Sequence, residues 1–270
     1  MSDVNRPAVG LWLYPDAPAK DLVAAVVAAE AHGVDEVWIA DEGVMREPLV
    51  VLSAAATQTS RIRLGVGITT PMLRHPGAMA SSMATLDELS NGRAILGFGV
   101  GGDHSLKPFD LTVEKPVGLL RDAIRTARGV VERTPVVGYR PPAHAMPARH
   151  VPIFVGSKGE QITRMASREA DGVFLSGFDL GRVGEAVAWA RSVRPIHVGL
   201  FASARFRRAA AHDPTSLSGE PTEVARAMMA LVAQHRPETI GLALVDGDHV
   251  GDMVEKALEA VRQFRLLPVP

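Results

Sequence analysis

Three stretches carry residues whose types and spacing could do chemistry. Gly97-Phe98-Gly99-Val100-Gly101-Gly102 has the G-x-G-x-x-G spacing of a dinucleotide loop. That fingerprint requires a helix to open directly after it. Asp103, His104 and Pro108 follow instead, and no helical periodicity starts before about Lys115, so a Rossmann site is rejected. The glycines would still let backbone approach a flat ligand closely, or they relieve crowding where a strand ends. Asp41 and Glu42 are adjacent carboxylates, a pairing suited to acid–base work. Neighbours on a strand point to opposite sides, so only one faces inward. Asp41 directly ends the apolar run Val-Trp-Ile-Ala and is taken as the inward one; the plainer reading is a capping or ion-paired rim acid. Gly156-Ser157-Lys158-Gly159 precedes a helical segment. Free N–H groups at a helix start bind anions, and a hydroxyl and an ammonium lie beside them here. A simple N-cap next to a solvated lysine fits the same residues.

Other groups are weaker. Arg205, Arg207 and Arg208 follow the seventh apolar run, where barrel enzymes often hold phosphate, although charge clusters are more often solvated. His75 and His104 lie on loops that could line a pocket or simply cap a helix. The nine histidines show no HExxH or other metal spacing, and no metal site is expected. No G-x-S-x-G nucleophile elbow is present. Glycine-rich, weakly acidic loops without a nucleophile suit an enzyme whose chemistry is carried by a bound cofactor.

Eight apolar runs must position these loops. They cover 8–13, 36–40, 62–69, 94–98, 151–155, 173–175, 196–201 and 239–245. Helical segments follow each of them, at 20–32, 48–58, 78–89, 115–131, 159–170, 180–193, 221–234 and 250–264. Within 78–89, Met79, Met83, Leu86 and Leu89 recur at helical spacing, and Asn91-Gly92 closes the segment. Continuous rather than alternating apolar strands imply a parallel sheet buried on both faces. Eight alternating pairs match a (β/α)8 barrel, with an open doubly wound sheet as runner-up. No composition shift or internal repeat divides the chain, so residues 1–270 are expected to form one domain.

Composition sets outer limits. Hydrophobic residues make up 47% of the 270, enough to bury a full core. A net charge of −1 gives no long-range field for nucleic acid or an anionic membrane, and neither is expected as a partner. The absence of cysteine excludes disulfides, thiolate catalysis and zinc–sulfur sites. The first ten residues lack signal-peptide features and no apolar run approaches a membrane span, so a cytoplasmic protein is expected.

The segment from Gly65 to Gly102 resembles the bacterial luciferase-like superfamily of flavin- and deazaflavin-dependent oxidoreductases. The resemblance is carried by Thr70-Pro71-x-x-Arg74-His75-Pro76, then Thr-Leu-Asp-Glu-Leu-Ser-Asn-Gly-Arg over 85–93, then the glycine loop. It continues through Glu114-Lys115-Pro116, through 151–159 and into Ala170-Asp171-Gly172-Val173, and weakens in the C-terminal third. The most similar subgroup is the methylenetetrahydromethanopterin reductase-like proteins, which use the deazaflavin coenzyme F420.

The resemblance implies a cofactor in the barrel mouth, with its ring near strands three and four. It implies a cis peptide at Gly67–Ile68 against the back of the ring, with Thr69 beside it. It implies Asp41 as an acid near the ring, Gly99, Val100, Gly101 and Gly102 as the ring-edge loop, and Ser157 and Gly159 as phosphate donors. Hydride transfer between coenzyme F420 and a small organic substrate is then the expected activity. An FMN-dependent monooxygenase is the alternative, and a flavin-binding protein without turnover is the third reading. Family members commonly form homodimers. The loops 103–114, 134–150 and 202–220 would set the substrate, and the shortness of the last leaves room only for a small lid.

Overall fold

Apolar runs bounded by glycine and proline become parallel strands because each run is covered on both faces. A computed structural model describes residues 6–136, 138–145, 147–206, 213–244 and 250–269. Its strands are β1 (Ala8–Leu13), β2 (Glu36–Ile39), β3 (Arg63–Thr69), β4 (Ala94–Phe98), β5 (Ile153–Gly156), β6 (Gly172–Ser176), β7 (His197–Arg205), β8 (Ser216–Ser218) and β9 (Thr239–Leu244). The helices are α1 (Ala19–Ala31), α2 (Pro48–Ala56), α3 (Pro76–Leu89), α4 (Asp103–Leu106), α5 (Pro116–Glu132), α6 (Glu160–Glu169), α7 (Val183–Arg191), α8 (Pro221–His235) and α9 (Val250–Leu266). Strands β1 to β7 pair in sequence order, and β9 pairs with both β7 and β1. The result is a closed barrel of eight parallel strands with helices around it, as the alternation of runs implies.

Two elements depart from the sequence expectation. Residues 202–205 continue β7, and β8 adds a short strand along its end, with Ser203 opposite Ser216 and Arg205 opposite Ser218. Ala-Ser-Ala-Arg carries little strand signal of its own; pairing with β8 and β9 supplies it. A one-turn helix, α4, also opens directly after Gly102, within a stretch expected to be loop up to Lys115. Four residues are too few to show periodicity. The expected strand end at Val245 lies outside the described residues. Proline opens α2, α3, α5 and α8, where its missing N–H would have no helical partner in any case.

The barrel interior is aromatic. Trp38, Phe154, Phe174 and Phe201 fill it with Ile95, and Trp12 and Ile68 pack against them. Phe174 stacks on Phe201 at 4.3 Å, and Trp38 lies 4.9 Å from Phe174. Rings of this size fit only if neighbouring strands lack side chains. A Cβ on Gly65 would come within 2.5 Å of Trp38, and one on Gly241 within 2.3 Å of Phe201. At the floor, Trp38 Nε1 donates to Glu36 Oε1 at 2.9 Å, and Arg63 lies 3.5 Å from the other oxygen. Burial pushes the Glu36 carboxyl above its usual range, against the pull of Arg63.

The stretch 85–93 is a structural joint. Arg93 is nearly buried, and its guanidinium donates to the carbonyls of Ala56, Thr59, Ile62 and Ser90 and to the Thr59 hydroxyl, at 2.6–3.0 Å. These bonds tie the ends of α2 and α3 to the start of β3. Asp87 accepts from the Ala94 amide at 3.3 Å and from Arg149 at 3.3 Å. Asn91 and Gly92 reverse the chain with φ of 60° and 86°. That motif therefore aims β3 and β4 at the mouth without entering it.

Candidate active site at the barrel mouth

The C-terminal ends of β2, β3 and β4 are laced together. Thr69 is buried, and its hydroxyl donates to Asp41 Oδ2 at 2.6 Å. Asp41 Oδ1 accepts from the Gly43 amide at 3.3 Å. The Thr69 carbonyl accepts from the Gly99 amide at 2.8 Å, and the Thr70 hydroxyl donates to the Val100 carbonyl at 3.2 Å. Arg74 reaches Glu47 at 3.1 Å, and Glu47 also caps α2 through the Val50 amide. His75 accepts from the Gly77 amide at 3.1 Å and so caps α3. The Thr-Pro-x-x-Arg-His-Pro motif is thus mainly a brace for the loops.

The Gly67–Ile68 peptide is cis. Trp12 Nε1 donates to the Gly67 carbonyl. Ile68 turns its side chain across the barrel: a Cβ on Gly99 would lie 2.0 Å from its Cδ1, and one on Gly156 2.8 Å. Gly67 faces Trp38, whose ring lies 2.3 Å from where a Cβ would stand. Glycine at 67 and 99 is therefore required by Trp38 and Ile68, and Ile68 forms an apolar floor to the mouth. Gly101 has φ of 83°, a left-handed conformation that favours glycine. Gly102 and Gly159 differ from Gly67, Gly99, Gly101 and Gly156: a Cβ on either would meet nothing within 4 Å, so both face open space.

At the β5 end, Ser157 is buried and its oxygen accepts from the Gly159 amide at 3.2 Å and the Thr163 hydroxyl at 3.0 Å. No side chain caps α6. Thr163 makes the first helical bond, to the Gly159 carbonyl, so the amides of residues 160–162 point out of the helix start. The Lys158 ammonium lies beside Gly177, within 2.8 Å of where a Cβ would stand. An apolar floor, open glycines and an uncapped helix start beside a cation fit a flat ring with an anionic tail. Arg205 is engaged with Asp213 at 3.0 Å; Arg207 and Arg208 lie outside the described residues.

Asp41 sits in the wall between the β2 and β3 ends, on a cleft of about 360 Å³ shared with Met45, Met72, Leu73 and Phe109. Within β2, Trp38 belongs to the interior cluster and Ile39 to the outer one; the strand ends at Ile39, and Asp41 and Glu42 lie beyond it where the chain turns. Burial raises the Glu42 pKa, Asp41 adds to that rise, and His104 opposes it. Tyr14 follows the end of β1 with its ring 6.0 Å from that of Trp12, and burial and then Glu42 and Asp16 raise its pKa. In the sequence, Glu42 stands with Asp41 as a carboxylate pair, but Asp41 is taken as the inward one; Tyr14 is not singled out there. All four residues of β2 are buried, Glu36 included, so the sequence does not mark which face Trp38 takes.

Residues 5–195 match the model of the luciferase-like monooxygenase family, and the chain belongs to that family. It is 31% identical over 173 residues to a 5,10-methylenetetrahydromethanopterin reductase of Methanolobus tindarius, covering 62% of this chain and 53% of the relative. It is 32% identical over 171 residues to an F420-dependent glucose-6-phosphate dehydrogenase of Nakamurella multipartita, covering 56% of this chain and 50% of the relative. The chain thus spans about half the length of these relatives. The solved coenzyme F420 dependent tetrahydromethanopterin reductase from Methanopyrus kandleri superposes with a TM-score of 0.81 at 20% identity, over 96% of this chain and 98% of that one. This last likeness is one of fold. No helix among the described residues is long and apolar enough to cross a membrane.

Proposed function

We propose that this luciferase-like family member is a coenzyme F420-dependent oxidoreductase acting on a small organic substrate. One observation carries the reading: the mouth pairs the Ile68 floor with the uncapped start of α6 beside Lys158. The F420-dependent relatives support the choice of cofactor. When bound, the deazaflavin supplies or accepts a hydride at its carbon 5. The chain does the rest. Gly67, Ile68 and Thr69 support one face of the ring, and the backbone of Gly99, Val100, Gly101 and Gly102 borders its edge. The amides following Gly159 take the phosphate, with Ser157 holding that turn in shape and Lys158 adding charge. The aromatic interior below Ile68 keeps water from the ring's underside. A cytoplasmic homodimer completes the proposal, and light scattering should give twice the 28.7 kDa chain mass.

The test is equilibrium titration with coenzyme F420 and FMN side by side, followed by tryptophan fluorescence. Trp12 reports on the site because its indole holds the Gly67 carbonyl. F420 is expected to bind at least tenfold more tightly, about 1.4 kcal/mol. Preference for FMN would support the monooxygenase reading that the family description favours. Binding of neither overturns both.

A further inference from the structure

We propose that Glu36, at the base of the barrel, is a positioning residue for the ring-binding floor at its mouth: it fixes the Trp38 indole, and the indole fixes Gly67 and Ile68. This rests on the oxidoreductase reading above and adds to that site a residue that lies outside it. Glu36 opens β2 and is 1% exposed; Trp38, on the same strand, is fully buried. The Trp38 indole N–H donates to Glu36 Oε1 at 2.9 Å, its only acceptor among the described residues. The far edge of the same ring system lies under β3 and β4. Cε3 is 2.3 Å from where a Cβ on Gly67 would stand, and Cζ3 is 3.0 Å from the matching point on Gly97. Ile68 follows Gly67 directly and packs on the same interior cluster. One rigid side chain therefore spans from the Glu36 carboxyl to the backbone that carries the floor.

Phe154, Phe174 and Phe201 surround the indole, with ring centroids 5.5, 4.9 and 6.4 Å away. Such contacts tolerate small tilts of a ring, whereas a hydrogen bond weakens steeply with angle. The carboxyl is itself held. Arg63 Nη1 lies 3.5 Å from Oε2, and the Thr239 hydroxyl faces the carboxyl while pairing with His197 Nε2 at 2.9 Å. Burying a carboxyl is costly, and an apolar side chain of similar size would fill the space at less cost. What the carboxyl adds is direction, together with a partner for an indole N–H that would otherwise be buried without one. From the other side, the Trp12 indole donates to the Gly67 carbonyl, and Trp12 lies opposite Trp38 in the register. Gly67 is thus gripped by two tryptophans, and Trp38 is the one governed from the base of the barrel.

Glu36→Met removes the acceptor at nearly constant volume, and Glu36→Gln keeps it. In the ligand-free protein, ¹H–¹⁵N spectra read the coupling directly. The chain's three tryptophans give three indole signals, and that of Trp38 is the one absent from Trp38→Phe. Glu36→Met should shift this signal and the amide signals of Gly67 and Ile68, whereas Glu36→Gln should leave those amides in place. Titration with coenzyme F420 reads the consequence: Glu36→Met should bind about tenfold more weakly, and Glu36→Gln within about threefold of wild type.

A merely structural role would move Tm and leave the amide signals and the affinity of the folded protein unchanged, and that result would overturn the inference. Should Glu36→Met not fold, Trp38→Phe takes its place, since it loses the N–H and keeps the carboxyl. It should weaken F420 binding about as much, and adding Glu36→Gln to it should change nothing further. Wild-type affinity in Trp38→Phe would overturn the inference equally. If the wild type binds no F420, the oxidoreductase reading falls, and the ligand-free amide signals still decide whether Glu36 positions Gly67 and Ile68.

Discussion

His197 shows how one residue couples the barrel floor to pH. It starts β7, its Nε2 pairs with the Thr239 hydroxyl at 2.9 Å, and its ring meets Phe154 edge-on at 5.0 Å. Burial, with Arg63 nearby, lowers its pKa to about 4. The unfolded chain therefore binds a proton that the folded chain refuses between about pH 6.5 and 4. That contribution is fully present above about pH 6.5 and is lost as pH falls through the window. Thermal unfolding of the wild type should show Tm falling across this range, and His197→Gln should fall less. Equal slopes in the two proteins would remove His197 from the account. Residues of this kind are hard to read from the sequence. A lone histidine at the start of a strand gives no sign of the Thr239 and Phe154 that the fold brings to it.

At the scale of the element, β3 is shaped by what lies inside it. Gly65 and Gly67 carry no side chains because Trp38, from β2, occupies the space. Gly67→Ala should destabilise the protein by about 1–3 kcal/mol through overpacking. In a Trp38→Leu background the same change should cost less, since contacting residues do not act independently. Urea unfolding of the four proteins gives the coupling; a purely additive result would mean that Trp38 does not dictate the glycine. The strands and the helix starts are legible in the sequence, because continuous apolar runs and N1 prolines are local signals. The length of β7, with β8 beside it, and the single turn of α4 are not, since pairing partners and a short loop closure create them. Direction is also hidden. All four residues of β2 are buried, so no polar alternation marks the inward face.

At the scale of the molecule, the closed barrel gathers loops from distant parts of the chain onto one face. The glycine loop and Ser157-Lys158-Gly159 are visible as candidate sites because their chemistry is local. That several glycines answer to Trp38 and Ile68 becomes visible only with the interior packed. Gly102, Gly159 and the start of α6 remain open to a ligand. The protein also has a much larger groove of about 1150 Å³ between α1 and α9, with none of these features. The central claim is that the deazaflavin lies in the mouth and not in that groove. Amide chemical-shift mapping on addition of coenzyme F420 tests it most directly. Shifts should concentrate at residues 67–69, 99–102 and 157–162. Shifts confined to 16–32 and 251–262, or none at saturating cofactor, would contradict the claim.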